Sequence, residues 1–174
     1  MLPYMHVITD ERCLNYSQAG HPERPQRVAA TLALLRKQKE IKISWDKPTE
    51  VKDISIERAH VLEHIHLVDA PVDPFDGDTP NYPDIDAHAR RSIGGALRAL
   101  ELAQNDKPNF SLLRPPGHHA TRKQAMGFCF FNSIAITVLA ARAAGFKKVA
   151  VFDFDVHHGN GTEDILRRVD GTAF

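Results

Sequence analysis

The sequence is short of cysteine. Cys13 and Cys129 stand alone in 174 residues, and a single bridge would staple a chain of this length poorly. A disulfide framework is therefore excluded, and a reducing, cytoplasmic setting is expected. Charge of one sign is lacking too: Lys plus Arg number 22, Asp plus Glu number 22, and the formal net charge is +0. That balance excludes a disordered acidic tail and argues against direct nucleic-acid binding driven by bulk charge. Glycine (10) and proline (11) are at ordinary globular levels, far from collagen or linker composition. The longest apolar stretch, residues 134–141, contains Thr137 and falls well short of the roughly 20 residues a bilayer requires, so no membrane partner is expected. The opening MLPYMHVITDERC lacks the cationic start and apolar middle of a signal peptide. No repeat of fixed period and no second compositional regime is visible, and the length suits one core.

What is present alternates between two periodicities. Residues 4–9 form a short β-rich run, followed by a polar loop over 10–24. A helix is predicted from Pro25, with Val28, Leu32 and Leu35 at three- and four-residue spacing and Arg36, Lys37 and Lys39 crowding its C-terminal end. Residues 41–45 alternate as a strand, 55–68 carry a helical pattern, and 69–83 form a long, acidic, proline-marked loop. Helical periodicity returns over 84–104, interrupted by Gly94 and Gly95, whose missing side chains imply close packing against a neighbour. Then come a strand at 110–113, a loop at 114–127, a helix at 131–144, a strand at 148–154 and a helix at 162–169. Strand, helix, strand implies parallel pairing through a right-handed crossover. Ligands in such sheets sit beyond the carboxyl ends of the strands, so the loops after Leu113 and after Phe152 are expected side by side.

Those two loops hold the chemistry. The first reads Arg114-Pro115-Pro116-Gly117-His118-His119-Ala120, and the second Asp153-Phe154-Asp155-Val156-His157-His158-Gly159-Asn160-Gly161-Thr162. Alternation along a strand end would put Asp153, Asp155 and His157 on one face and Phe154 and Val156 on the other. Carboxylate oxygen and neutral imidazole nitrogen suit zinc, and a site with three protein ligands leaves a position for water. Spacing alone leaves His118 and His119 open as ligands or as bases. A lone Asp-x-Asp or a lone histidine pair is commonly decoration, but two histidine pairs converging on one pocket are much harder to dismiss.

RPPGHHA, GFCFFNS at 127–133, DFDVHHGNGT at 153–162 and GHPERPQRV at 20–28 occur in the order and spacing of a known family. The chain resembles the zinc-dependent histone deacetylases and acetylpolyamine amidohydrolases, with Asn160 like the class II and bacterial branch. The resemblance implies an α/β, three-layer parallel-sheet fold of the arginase and deacetylase type. It implies hydrolysis of acetyl amides on lysine or polyamine substrates, with Zn2+ as cofactor and K+ as a structural ion. Asp155 and His157 would be zinc ligands. His118 and His119 would handle protons, with Asp153 orienting His118 and Asn160 orienting His119. A carboxylate beside an imidazole favours its charged form, whereas an amide leaves the ring easier to keep neutral. Gly127 and Phe128 resemble the substrate-contacting wall of an acyl-lysine tunnel, and Arg27 matches an arginine of the inner channel. Asp153, with Asp155 and His157, resembles the structural cation site.

The family's third zinc ligand and its transition-state tyrosine or histidine lie beyond the equivalent of residue 174. The expectation is thus an apparently truncated fold, with residues 1–174 as the N-terminal part of a single deacetylase-like domain. Alone, the chain would bind zinc weakly and be inactive. Its unfinished sheet edge could self-associate, as in a catalytically dead relative acting as a binding module. Two further readings compete. His60-Val61-Leu62-Glu63-His64 satisfies the H-x-x-E-H peptidase pattern. Asp153-Phe154-Asp155 after a β-run resembles the nucleophile of magnesium-dependent haloacid-dehalogenase-type phosphatases, a reading that leaves four histidines unexplained.

Overall fold

The computed structural model describes residues 3–174. Strand β1 (Tyr4–Ile8) is the hub of a three-stranded sheet, with β2 (Lys42–Asp46) parallel on one edge and β3 (Asn109–Ser111) parallel on the other. Successive strand side chains point to opposite faces. Val7 faces helix α1 (Gln26–Lys37) and packs with Val28 and Leu32, and Met5, Ile43 and Leu35 close the same cluster. His6 points the other way. Its Nδ1 lies 2.6 Å from Asp46 Oδ2, and Arg98 of helix α4 (Ile85–Ala103) donates to Asp46 Oδ1 at 3.0 Å. Helices on both faces of a parallel sheet make a three-layer α/β arrangement. With β1 between its two successors, the winding reverses there, and the ligand crevice is expected beyond the carboxyl ends of β1 and β3.

A larger core lies under the remaining helices. Ile65, Ile93, Phe130, Phe131, Ile136 and Ile165 bring together α3 (Leu62–Asp69), α4, α5 (Ser133–Ala143) and α6 (Asn160–Leu166). Helix α4 fills the expected span over 84–104 and runs unbroken through Gly94 and Gly95, where only the apolar periodicity lapses. The close approach was expected and is present: a Cβ on Gly94 would stand 2.1 Å from the Thr49 carbonyl oxygen. Thr49 bonds to the Gly94 carbonyl through both its N–H and its hydroxyl, each at 3.2 Å. No helix among the described residues is long and apolar enough to cross a membrane.

Four expectations need correction. The loop over 10–24 contains a 3-10 turn, Glu11–Leu14, capped by the Asp10 side chain accepting from Arg12 N–H. The helix over 55–68 is two pieces, α2 (Asp53–Ile56) and α3, with Val61 extended between them. Tertiary bonds outcompete the helical ladder there: Val61 N–H donates to Arg122 O at 3.1 Å, and His60 Nε2 accepts Asn132 N–H at 2.9 Å. The strand over 148–154 shrinks to β4 (Val149–Ala150), which pairs with β5 (Thr172–Ala173) in a separate sheet. Among the described residues β3 and β4 do not pair directly. Between them lies a cavity of about 590 Å³ whose walls include Leu113, Pro115, Ile134, Phe152, Phe154 and Val156. Val151 N–H still reaches Ala173 O at 2.9 Å, but beyond it the described residues offer no paired strand, and N–H groups turn to side chains: Asp155 N–H donates to Asp153 Oδ1 and His157 N–H to Asp155 Oδ1. Phe152 and Phe154 are each 88% exposed and Val156 is 91% exposed.

His60 and His64 are both buried, their ring centroids 5.0 Å apart. Glu63 is exposed, so the H-x-x-E-H residues do not converge as a peptidase centre requires. Burial pushes the His60 imidazole down to about 3 and lowers His64 as well. Each ring stays neutral in the fold, whereas the unfolded ring takes up a proton below its ordinary value of 6.5. Stability is therefore full above that value and declines as pH falls from 6.5 toward 3. Urea unfolding should show a loss of about 2 kcal/mol from His60 between roughly pH 7 and 5, a further loss in the same direction from His64, and a smaller total loss in His60→Gln. Equal stability of the parent at both pH values would contradict this.

Candidate active site

The first loop is anchored by an ion pair inside the protein. Arg114 and Glu23 each have 2% side-chain exposure. Arg114 Nε donates to Glu23 Oε1 at 2.8 Å, and Nη2 donates to Oε2. The remaining donor, Nη1, reaches Cys13 O at 2.8 Å and Tyr16 O at 3.1 Å, and the guanidinium lies 3.7 Å over the Tyr16 ring. A buried guanidinium needs this degree of satisfaction. The pair ties the end of β3 to the loop after β1 and aims residues 115–120 into the crevice. Arg27 is half exposed, 3.7 Å from Glu23.

The second loop meets the first through main chain. Gly161 and Thr162 N–H both donate to His118 O, at 3.0 and 3.1 Å. A Cβ on Gly161 would stand 2.3 Å from Ala120 O and 2.5 Å from His119 C, so only glycine permits the crossing. Asn132, fully buried, joins three segments: its Nδ2 donates to Ala120 O and to Thr162 Oγ1, and its Oδ1 caps α5 through Ala135 N–H.

This crossing brings the site residues together. His118 Nδ1 is 2.9 Å from Asp153 Oδ2, and His119 Nδ1 is 2.6 Å from Asn160 Oδ1. A carbonyl oxygen only accepts, so the neutral His119 ring carries its proton on Nδ1 and leaves Nε2 bare. The His118 and His119 ring centroids are 4.1 Å apart, and His119 to His157 is 5.9 Å. Gly127 packs on the His119 ring, and Phe128 stands edge-on to His21 with centroids 5.0 Å apart.

Asp155 and His157 are on the open side, 43% and 71% exposed. They do not share a strand face as alternation would place them, because the segment is not a strand. His157 bonds to the Asp155 carboxylate from both its N–H and its Nδ1, and these bonds hold that carboxyl below the usual range. Among the described residues, no three His, Cys, Asp or Glu side chains cluster as a metal site. The donor types present, one carboxylate and one imidazole, fit zinc as two of its usual four ligands. Asp153, the third residue expected at a structural cation, spends Oδ1 on Asp155 N–H and Oδ2 on His118.

A histone deacetylase domain model matches residues 21–173. The chain belongs to the histone deacetylase family. It is 41% identical over 160 residues to the histone deacetylase-like amidohydrolase of Pseudomonas aeruginosa, covering 87% of this chain and 42% of that protein. It is 37% identical to histone deacetylase 15 of Arabidopsis thaliana over 174 residues, covering 91% and 31% respectively. The crystal structure of the HDA15 HD domain superposes with a TM-score of 0.84 at 34% identity, over 99% of this chain and 52% of that one. The chain thus spans about half or less of the length of these family members, and the deacetylase α/β fold is shown for that span.

Sequence reasoning missed the partners that hold the family motifs in place. Glu23 sits inside GHPERPQRV and Asn132 inside GFCFFNS, but nothing local marks either as a tertiary clasp. Breaking the Arg114–Glu23 pair leaves an uncompensated buried charge, so Glu23→Ala should cost about 3–5 kcal/mol in urea unfolding. Glu23→Ala as stable as the parent would contradict the clasp. Gly161→Ala should part the two loops and abolish the ring proximities of His118, His119 and His157, read from imidazole cross-peaks in NMR spectra.

Proposed function

We propose that this chain is the N-terminal part, residues 1–174, of a single deacetylase domain that hydrolyses the acetyl amide of acetyl-lysine or an acetylated polyamine. The observation that carries this reading is the differential pairing of adjacent imidazoles: His118 with a carboxylate, His119 with an amide oxygen. Asp155 and His157 are the groups that would hold zinc, which would supply Lewis-acid polarisation of the acyl carbonyl. The same segment, with Asp153, is where a structural K+ would sit.

His119 Nε2 takes the proton of the attacking water and returns it to the amine nitrogen as the C–N bond breaks. Asn160 holds the ring in the tautomer this requires. The Asp153 carboxylate orients His118 and counters positive charge gathering on the imidazole pair. Phe128, half-buried beside Gly127, would wall the slot for the acyl-bearing methylene chain. The haloacid-dehalogenase-type reading needs Asp153 free as a nucleophile, and both of its oxygens are already engaged.

A second reading, a partner-binding module or self-associating chain, is favoured by the outward Phe152, Phe154 and Val156. Exposed apolar side chains grouped in this way call for a covering surface.

Titration of the zinc-loaded chain with an acetyl-lysine peptide, followed by NMR, should shift the resonances of Phe128 and His119, and the unacetylated peptide should not. Equal shifts with both would overturn the deacetylase reading. With two zinc donors of its own, the chain should show negligible turnover. Measurable hydrolysis by the purified chain, abolished in His119→Ala, would contradict the incomplete-site reading.

A further inference from the structure

The acidic loop after α3 is not simply solvated, because two of its side chains turn inward. Met126 and Cys129 bond to each other through both N–H groups, at 3.0 Å each, closing a two-residue turn. Its central residues are left-handed, Gly127 at φ 55 and Phe128 at φ 71. For Phe128 this backbone is disfavoured and must be imposed by its surroundings. Consecutive left-handed residues also aim their N–H groups to one side, a concave donor pair that needs an oxygen acceptor. The loop provides two: Asp76 Oδ2 accepts Gly127 N–H at 3.1 Å, and Thr79 Oγ1 accepts Phe128 N–H at 3.0 Å.

Both acceptors are themselves held. Asp76 Oδ1 takes Asp78 N–H at 2.8 Å, Phe75 N–H donates to Thr79 O at 2.9 Å, and Thr79 is fully buried. Bonds from Thr79 and the three N–H groups around it keep the Asp76 carboxyl below its usual range despite partial burial. What the clamp delivers is the placement of the Phe128 ring against His21 and of Gly127 against the His119 ring.

We propose that Asp76 and Thr79 are positioning residues. They hold the Gly127–Phe128 turn in place from outside the site and so set where the channel wall stands relative to His119, and with it which acyl groups fit. The inference rests on the deacetylase reading for its substrate side only. Neither residue belongs to a motif that carries the family resemblance, and neither touches the histidines.

The test uses the chain itself, with amide hydrogen exchange at Gly127 and Phe128 and NMR titration with acetyl-lysine and butyryl-lysine peptides. Thr79→Val keeps the volume and removes the acceptor. It should raise exchange at Phe128 by about tenfold, the scale of one lost hydrogen bond, and flatten the preference for acetyl over butyryl by several-fold. Protection in α5 should stay unchanged. Thr79→Ser should restore both readouts, and Asp76→Asn should loosen Gly127 by a smaller factor. Unchanged exchange in Thr79→Val, or a loosened turn with an unaltered acyl preference, would overturn the proposal. If neither peptide binds the parent, the deacetylase reading and its substrate side fail together, while the exchange data still decide whether the clamp exists.

Discussion

Everything at the candidate site depends on one backbone-on-backbone contact. The main-chain carbonyl groups of His119 and Ala120 lie against Gly161, close enough that a single Cβ would collide with them. Backbone groups cannot move aside as a flexible side chain can, so this contact fixes the relative position of two loops whose motifs stand 35 residues or more apart in sequence, as His118 and Asp153 do. The contact is also satisfied: His118 O accepts two N–H groups from the start of α6, and Asn132 covers Ala120 O. From it follow both imidazole pairings, the tautomer of His119, and the approach of His157. Arg114 and Glu23 fix the other end of the first loop. The ion pair is costly to desolvate and is retained with nearly every donor used, a pattern that suits placement better than raw stability.

The fold was legible where periodicity is strong. The apolar spacing of Val28, Leu32 and Leu35 marked α1, and Pro25 marked its start, as the structure has them. The close packing implied by Gly94 was equally readable, because a missing side chain in a helix invites a neighbouring backbone. The reading failed where a tertiary bond overrode local preference. Val61 has a helical neighbourhood on both sides, yet its N–H is claimed by Arg122, and no window of sequence around residue 61 reports on residue 122. The Asp10 cap of the 3-10 turn is local, by contrast, and the reading of 10–24 as a loop passed over it.

The motif loops were legible in identity but not in shape. Asp153, Asp155 and His157 alternate in sequence as strand residues would, and alternation is a statement about a paired strand. Beside an open cavity the same residues form side-chain-to-backbone turns, since a carboxylate two residues back is the nearest acceptor for an N–H with no strand opposite. The exposed Phe152, Phe154 and Val156 record the same absence of a neighbour from the apolar side. Asp155 and His157, the groups proposed to hold zinc, lie on this open side, in a chain that spans about half or less of its relatives' length.

The central claim is that Asn160 holds the neutral His119 ring as the Nδ1–H tautomer, with Nε2 bare. Long-range proton–nitrogen NMR correlations of the His119 imidazole decide it directly. The account predicts a protonated Nδ1 and an unprotonated Nε2, with that pattern lost in Asn160→Ala. A protonated Nε2 in the parent chain, or a pattern indifferent to Asn160, would contradict it.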